Sequence, residues 1–359
     1  MERIEAGMPR RSDSAGSSEK GAVAVMIAFM IVTVLGFAAL AVDVGYMMVA
    51  RNELQNIADA SALAAARKLG VLYEGMTHTE QKSYVCDPAV LADIAQEVAL
   101  NNQAAGIAID VDFSDIQVGI WRPESGFSAT LNQPDAVRVT ARRQAGSNGP
   151  VGTFFAQILG IDTVPVAACA TAALTGASTA DPGTLDMPVG IAIQWFNKAE
   201  FCDQPIKFYP TGTLEGCAGW NTFIDSPSNA SKLRDILRQL AQNTYTSPEA
   251  FAGQTFFVFT GGNVASAFED MRQLYEAKRN PATGEWRATV VVYDMQCADN
   301  PTGFIRIVGF ATAIVTGVKT SPSNEITAKV VCDTINEGRG GGNYYGTKGS
   351  IPGLVDKCL

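Results

Sequence analysis

The sequence predicts an α+β protein: a long N-terminal transmembrane and amphipathic helix followed by an α+β ectodomain with antiparallel sheets. Three observations carry this expectation. Residues 22–42 are an uncharged apolar run, a helical apolar period continues past it to about residue 69, and from residue 107 onward apolar residues alternate with polar ones between turn-forming stretches.

The run from Ala22 to Val42 reads AVAVMIAFMIVTVLGFAALAV, with Thr33 as its only polar side chain. As a helix it would span about 31 Å at about 1.5 Å per residue, enough for a hydrocarbon core of about 30 Å. Arg3, Arg10, Arg11 and Lys20 precede it, whereas Arg51 is the only basic residue soon after it. Because basic residues are retained on the cytoplasmic side, residues 1–21 read as a cytoplasmic tail. Everything beyond Asp43 then lies outside, which predicts a single-pass bacterial inner-membrane protein with its bulk in the periplasm. Ala39-Leu40-Ala41 also has the form of a signal-peptide cleavage site. Against cleavage, the run is longer than a usual h-region and the helical pattern does not stop there.

Residues 43–70 read as an amphipathic extension of the same helix. Val44, Met47, Met48, Leu54, Ile57, Ala58, Ala62 and Ala65 fall near one face, with Arg51, Asn52, Gln55, Asn56 and Asp59 away from it. Gly70 is the expected stop. The alanine-rich half allows close backbone approach, either by another subunit or by the chain's own ectodomain.

These residues carry a resemblance. The glycine before the run (Gly21), the A-V-D-x-G exit at Ala41, Val42, Asp43 and Gly45, and the R-x-x-L-Q-N-x-A-D-A-x-A-L-A-A-A string from Arg51 to Ala66 resemble TadG-like proteins of the tight-adherence (Flp) pilus assembly system. Weaker echoes follow in Ala136–Arg143, in Thr153-Phe-Phe-Ala-Gln-Ile-Leu-Gly160 and in the strand leading to Leu174. The resemblance implies a structural role in building or anchoring a pilus. It also implies that Asp43, Gly45, Arg51, Leu54, Asn56 and Asp59 serve membrane exit and helix packing, and that the partners are the membrane and other pilus-assembly proteins or pilins. Pilin-like members of the group are expected to carry a glutamate where this chain has Met26, so an uncleaved anchor is implied. Some TadG proteins resemble von Willebrand A proteins, whose metal loop needs serine hydroxyls; in Asp225-Ser-Pro-Ser-Asn229, Pro227 replaces the first of them.

The outer portion divides into a first α+β domain over 71–175, a small-residue linker over 176–184 and a second α+β domain over 185–359. Asp87-Pro88 is a helix start, with Val90, Leu91, Ile94, Ala95 and Val98 as its apolar face. Strands are expected through Ile107–Phe113, Ile116–Ile120 and Val137–Ala141. In the second domain they are expected at 188–194, 255–260, 288–294, 303–317 and 325–332, with helices near 230–243 and 264–278. The glycine-rich stretch 338–349 reads as a mobile loop.

All seven cysteines follow the apolar run, as an oxidising compartment predicts. Cys86, Cys202, Cys217, Cys297, Cys332 and Cys358 are the disulfide candidates; Cys169, in an alternating apolar strand, is expected to be a free buried thiol. The net charge of −9 disfavours nucleic acid. The single histidine, His78, read as a surface-loop residue, leaves no triad, and no cofactor or metal motif is present. The expectation is therefore not an enzyme, with no cofactor and no small-molecule ligand. The rival function is a secreted or surface adhesin that binds a ligand through its C-terminal domain, where Trp195, Phe196, Phe208, Tyr209, Trp220 and Phe223 are either a binding surface or aromatic core.

Overall fold

A computed structural model describes residues 16–198, 200–208, 216–297, 299–356 and 358; Arg3, Arg10, Arg11 and Tyr209 lie outside them, as does the side chain of Phe208. Helix α1 runs unbroken over Gly16–Glu74. Residues 21–42 of it are exposed apart from the partly covered Ala39, and the helix is long and apolar enough there to cross a membrane. Its second half docks on the chain's own α+β body, burying Leu54, Ile57, Ala58, Ala62, Ala65, Ala66, Leu69 and Tyr73. Burial of a large side chain such as Leu54 or Leu69 stabilises by about 1.5–3 kcal/mol. Val44 and Met48, expected on the packed face, are exposed, because the main α+β body begins further along the helix.

Gly70 does not stop the helix. It is buried where α1 crosses the strand Thr347–Ile351, and a Cβ there would overlap the Ser350 carbonyl. Glycine inside a helix costs about 1 kcal/mol, and the continued burial of Leu69 and Tyr73 on either side of it offsets that.

After α1 come the short helix α2 (His78–Ser83) and α3 (Pro88–Leu100). Asp87 caps α3 through the Ala89 amide, with Pro88 at the first turn. The buried face of α3 is Leu91, Ala92, Ala95 and Ala99, so Val90 of the expected face is exposed. The strand expected from Ile107 to Phe113 is only a two-residue ladder at Ile107–Ala108, followed by a 3-10 turn at Phe113–Asp115. Ile109 and Val111 are buried, but Ile107 and Phe113 are exposed.

Strands Ile116–Arg122, Gly126–Ala129, Ala136–Arg143 and Val166–Ala173 form an antiparallel sheet joined at its edge by Gly353–Asp356 from the C-terminus. The interior side chains of this sheet, together with α1 and α3, make one hydrophobic core.

The second core lies under a seven-stranded sheet in the order Pro205–Phe208, Glu325–Val331, Thr302–Lys319, Trp286–Tyr293, Val189–Ala192, Ala218–Trp220, with Phe256–Thr260 paired to the start of the long Thr302–Lys319 strand. All of these pairs are antiparallel except Val189–Ala192 with Trp286–Tyr293. A bridge from Asn221 to Phe259 links the edge strand back to Phe256–Thr260, so the sheet curls toward closure. The register shift at Val292/Tyr293 supplies the bend. Helices α4 (Ala230–Ala241) and α5 (Phe268–Lys278) pack together, and the buried Asp270 receives Arg234 and Arg238 across their interface. Trp195, Trp220 and Phe223 are buried in this core, and Phe196 packs against it.

One C-terminal feature differs from expectation. Residues 338–349 are not a free loop: Thr334–Arg339 and Thr347–Ile351 pair in parallel, and a Cβ at Gly349 or Gly342 would run into facing backbone. Glycine here lets main chains approach, so its abundance signals packing. The segment 176–184 is likewise engaged, through bridges from Gly176 to Gly342 and Lys348 and a ladder from Thr179–Ala180 to Ala250–Phe251. Lys348, buried, meets Asp135 at 2.8 Å and Asp333 at 2.7 Å, which ties the C-terminal strands to the first sheet.

Candidate functional site

The site is the junction where α1 leaves its apolar run. Asp43 is the first charged residue after that run and is only 5% exposed. Facing it is a hairpin whose two-residue arms, Val151–Gly152 and Thr163–Val164, pair antiparallel. Its tip is the 3-10 turn Ala156–Leu159, closed by Gly160 at φ 81°, a conformation glycine adopts without steric penalty. The turn has no side-chain cap of its own. Asp43 supplies one from 111 residues away: the amides of Phe154, Phe155 and Ala156 donate to its carboxylate at 2.7, 3.0 and 2.6 Å.

Burial pushes the Asp43 pKa up, but the three amide bonds together outweigh it and hold the carboxyl below its ordinary value of 3.8. The Tyr46 and Phe154 rings meet edge-on at 5.1 Å. Between helix and hairpin lies a cavity of about 460 Å³ lined by Leu40, Met47, Met48 and Arg51 on one side and by Ala156, Ile161, Val164 and Pro165 on the other. The junction thus ties α1, just past its apolar run, to the hairpin through three hydrogen bonds and one ring contact.

The other junction residues are spread along α1. Gly45 is exposed with open space around it, and Arg51 and Asn56 are exposed. Leu54 is fully buried in the first core. Asp59 accepts from Gln55 at 2.7 Å, and Gln55 also donates to the Cys169 carbonyl at 3.1 Å, tying α1 to the first sheet. What sequence reasoning missed is the hairpin. The signal was present in an uncharged, aromatic-rich Thr153–Ile161 bounded by Gly149-Pro150 and Asp162, and in a lone Asp43 that needed donors.

The disulfides are Cys169–Cys358, Cys202–Cys332 and Cys217–Cys297, and Cys86 is a free, buried thiol. The expected roles of Cys86 and Cys169 are therefore exchanged. Cys169 pairs because Gly353–Asp356 lies beside its strand and brings Cys358 to a Cα separation of 5.5 Å. Cys86 lies in the first core, among α1, α3 and the sheet.

His78 is not in a loop. It opens α2, where Thr77 and Glu80 form a capping box, and its Nδ1 lies 3.3 Å from the Thr334 hydroxyl. Burial, then the nearby Arg287 and Lys82, push its pKa down to about 4. Asp225 pairs with Lys232, and Asn229 caps α4 through the Lys232 amide. Among the described residues no group of three or more His, Cys, Asp or Glu side chains is placed to hold a metal.

Fold and junction together define an α+β protein carried on one long helix that is apolar enough to span a bilayer. Residues 21–68 match the family described as putative Flp pilus-assembly TadE/G-like, and residues 75–172 match the one described as putative Tad-like Flp pilus-assembly. Through these two segments, which take in most of α1, all of α3 and most of four of the five strands of the first sheet, the N-terminal part of the chain is similar to the Tad family of Flp pilus-assembly proteins. No curated protein and no solved structure matches it.

Proposed function

We propose that this protein is a membrane-anchored structural component of a Flp pilus-assembly apparatus, with its N-terminus in the cytoplasm and residues from Asp43 onward in the periplasm. The observation that carries the reading is α1 itself: one continuous helix is lipid-compatible in its first half and an integral part of the ectodomain core in its second. Such a helix fixes both the height and the tilt of whatever the ectodomain presents. Three disulfides, all in the part assigned to the periplasm, agree with an oxidising compartment, and the family supplies the pilus-assembly context. The role is positional rather than catalytic.

The test is fractionation and co-purification of the full chain from cells that assemble the pilus. The protein should stay with inner membranes after alkaline washing, keep its N-terminal tail shielded from protease in spheroplasts, and co-purify with other pilus-assembly proteins. A soluble species beginning at Val42 would support the released adhesin instead.

A further inference from the structure

The hairpin that holds Asp43 leaves an apolar tip facing solvent. Phe154, Phe155, Ile158, Leu159 and Ile161 are 53%, 43%, 82%, 80% and 50% exposed. Scattered exposed apolar residues are ordinary, whereas five within eight positions on one tip mark an interaction surface. We propose that this tip is a second membrane contact, dipping into the outer interface of the same bilayer that α1 crosses; the inference rests on the anchored reading above.

Three observations select lipid as the occupant. The first is level along α1. Of residues 21–42, Ala39 alone is partly covered, and Leu40 shares the junction cavity with Ala156 and Ile161. The hairpin therefore reaches about 6 Å beyond Asp43 toward the middle of the apolar run, taking about 1.5 Å per residue. Apolar groups of interfacial elements bury to depths of about 5–10 Å.

The second is charge. Thr153 to Ile161 contains no ionisable side chain, and the acidic Asp162 falls outside the tip. The third is hydrogen bonding. Backbone donors facing hydrocarbon must be satisfied from within the protein. The amides of Phe154, Phe155 and Ala156 are taken by Asp43, that of Thr153 by the Asp162 carbonyl, and those of Ile158, Gly160 and Ile161 by carbonyls of the turn. The Gln157 side chain folds back onto the Phe154 carbonyl at 2.7 Å. These bonds leave the named amides compatible with an apolar surrounding.

The experiment uses the full chain, disulfides intact, in vesicles of phosphatidylethanolamine and phosphatidylglycerol that carry a nitroxide on the upper acyl chain. Leu159→Cys, Ala28→Cys within the apolar run and Ala282→Cys in a distant turn are each labelled with an environment-sensitive fluorophore; the buried Cys86 is left in place and a wild-type sample corrects for it. The label at position 159 should shift to the blue and lose emission to the nitroxide lipid, as the label at 28 does, while that at 282 should do neither. Quenching at 28 without quenching at 159 overturns the hairpin contact and leaves the anchor standing. Absence of quenching at 28 overturns the anchor itself. A label at 159 shielded from aqueous iodide yet untouched by the nitroxide lipid would show that a second copy covers the tip, which also overturns the proposal.

Discussion

The Phe154 amide donates to the Asp43 carboxylate at 2.7 Å across 111 residues of chain. With the Phe155 and Ala156 amides it makes one side chain the pin between α1, just past its apolar run, and the hairpin Val151–Val164. A neutral side chain cannot take all three donors with the same strength, since charge-assisted bonds are about twice as strong as neutral ones.

Replacing the pin should loosen the hairpin while sparing the cores. In Asp43→Asn, hydrogen exchange at Phe154, Phe155 and Ala156 should rise, with exchange in Ala136–Arg143 unchanged. The wild type should show the same loosening in acid. The Asp43 pKa is lowered on folding, so its stabilisation is fully present above the ordinary value of 3.8 and is lost as pH falls through the lower folded value. Protection that is insensitive to both changes would remove Asp43 from this role.

Two glycines of α1 should respond oppositely to alanine. At Gly70 a Cβ meets the Ser350 carbonyl, so Gly70→Ala should cost about 2–3 kcal/mol by overpacking and should detach Thr347–Ile351 first. At Gly45 there is open space, and Gly45→Ala should be neutral or stabilise by up to about 1 kcal/mol through helix propensity. Denaturant titration of the detergent-solubilised protein reads both; equal effects would contradict the crossing at Gly70.

Thiol counting tests the cysteine pairing. Unreduced protein should show no fast-reacting thiol when native and one when denatured, that of Cys86, whose pKa burial pushes up. Cys358→Ser should add a second, at Cys169. It should also cost about 4–5 kcal/mol, because Cys169–Cys358 closes a separation of 189 residues.

His78, the only histidine, offers a single imidazole signal by NMR. It should titrate at about 4 against an ordinary 6.5. The unfolded chain then takes up a proton that the folded one refuses, so stability should fall as pH drops from about 6.5 to about 4 and level off below. A midpoint near 6.5 would mean that α2 does not dock on Thr334–Arg339.

Much of the fold was legible because local periodicity and burial coincide. The amphipathic extension carries a helical period and the strand at 325–331 an alternating one, while the length of the uncharged run, the Asp87-Pro88 start and the aromatic and β-branched runs at 256–260 and 286–293 are local signals of another kind. The glycines misled, because glycine marks a flexible turn and a close backbone contact with the same letter. Gly70 and Gly349 are contacts, and nothing adjacent in sequence says so.

By itself, then, the sequence determined the lipid-compatible helix, the alternation of helices and strands after it and the pilus-assembly resemblance, since each rests on residues near one another in the chain. Only tertiary structure decided that the C-terminal strand returns to the first sheet, that Cys169 rather than Cys86 is bonded, and that Asp43 seizes the 154–156 amides. Those are pairings between positions from 111 to 189 residues apart. They are selected by the packing of sheets and helices as whole surfaces, so no local window contains the information.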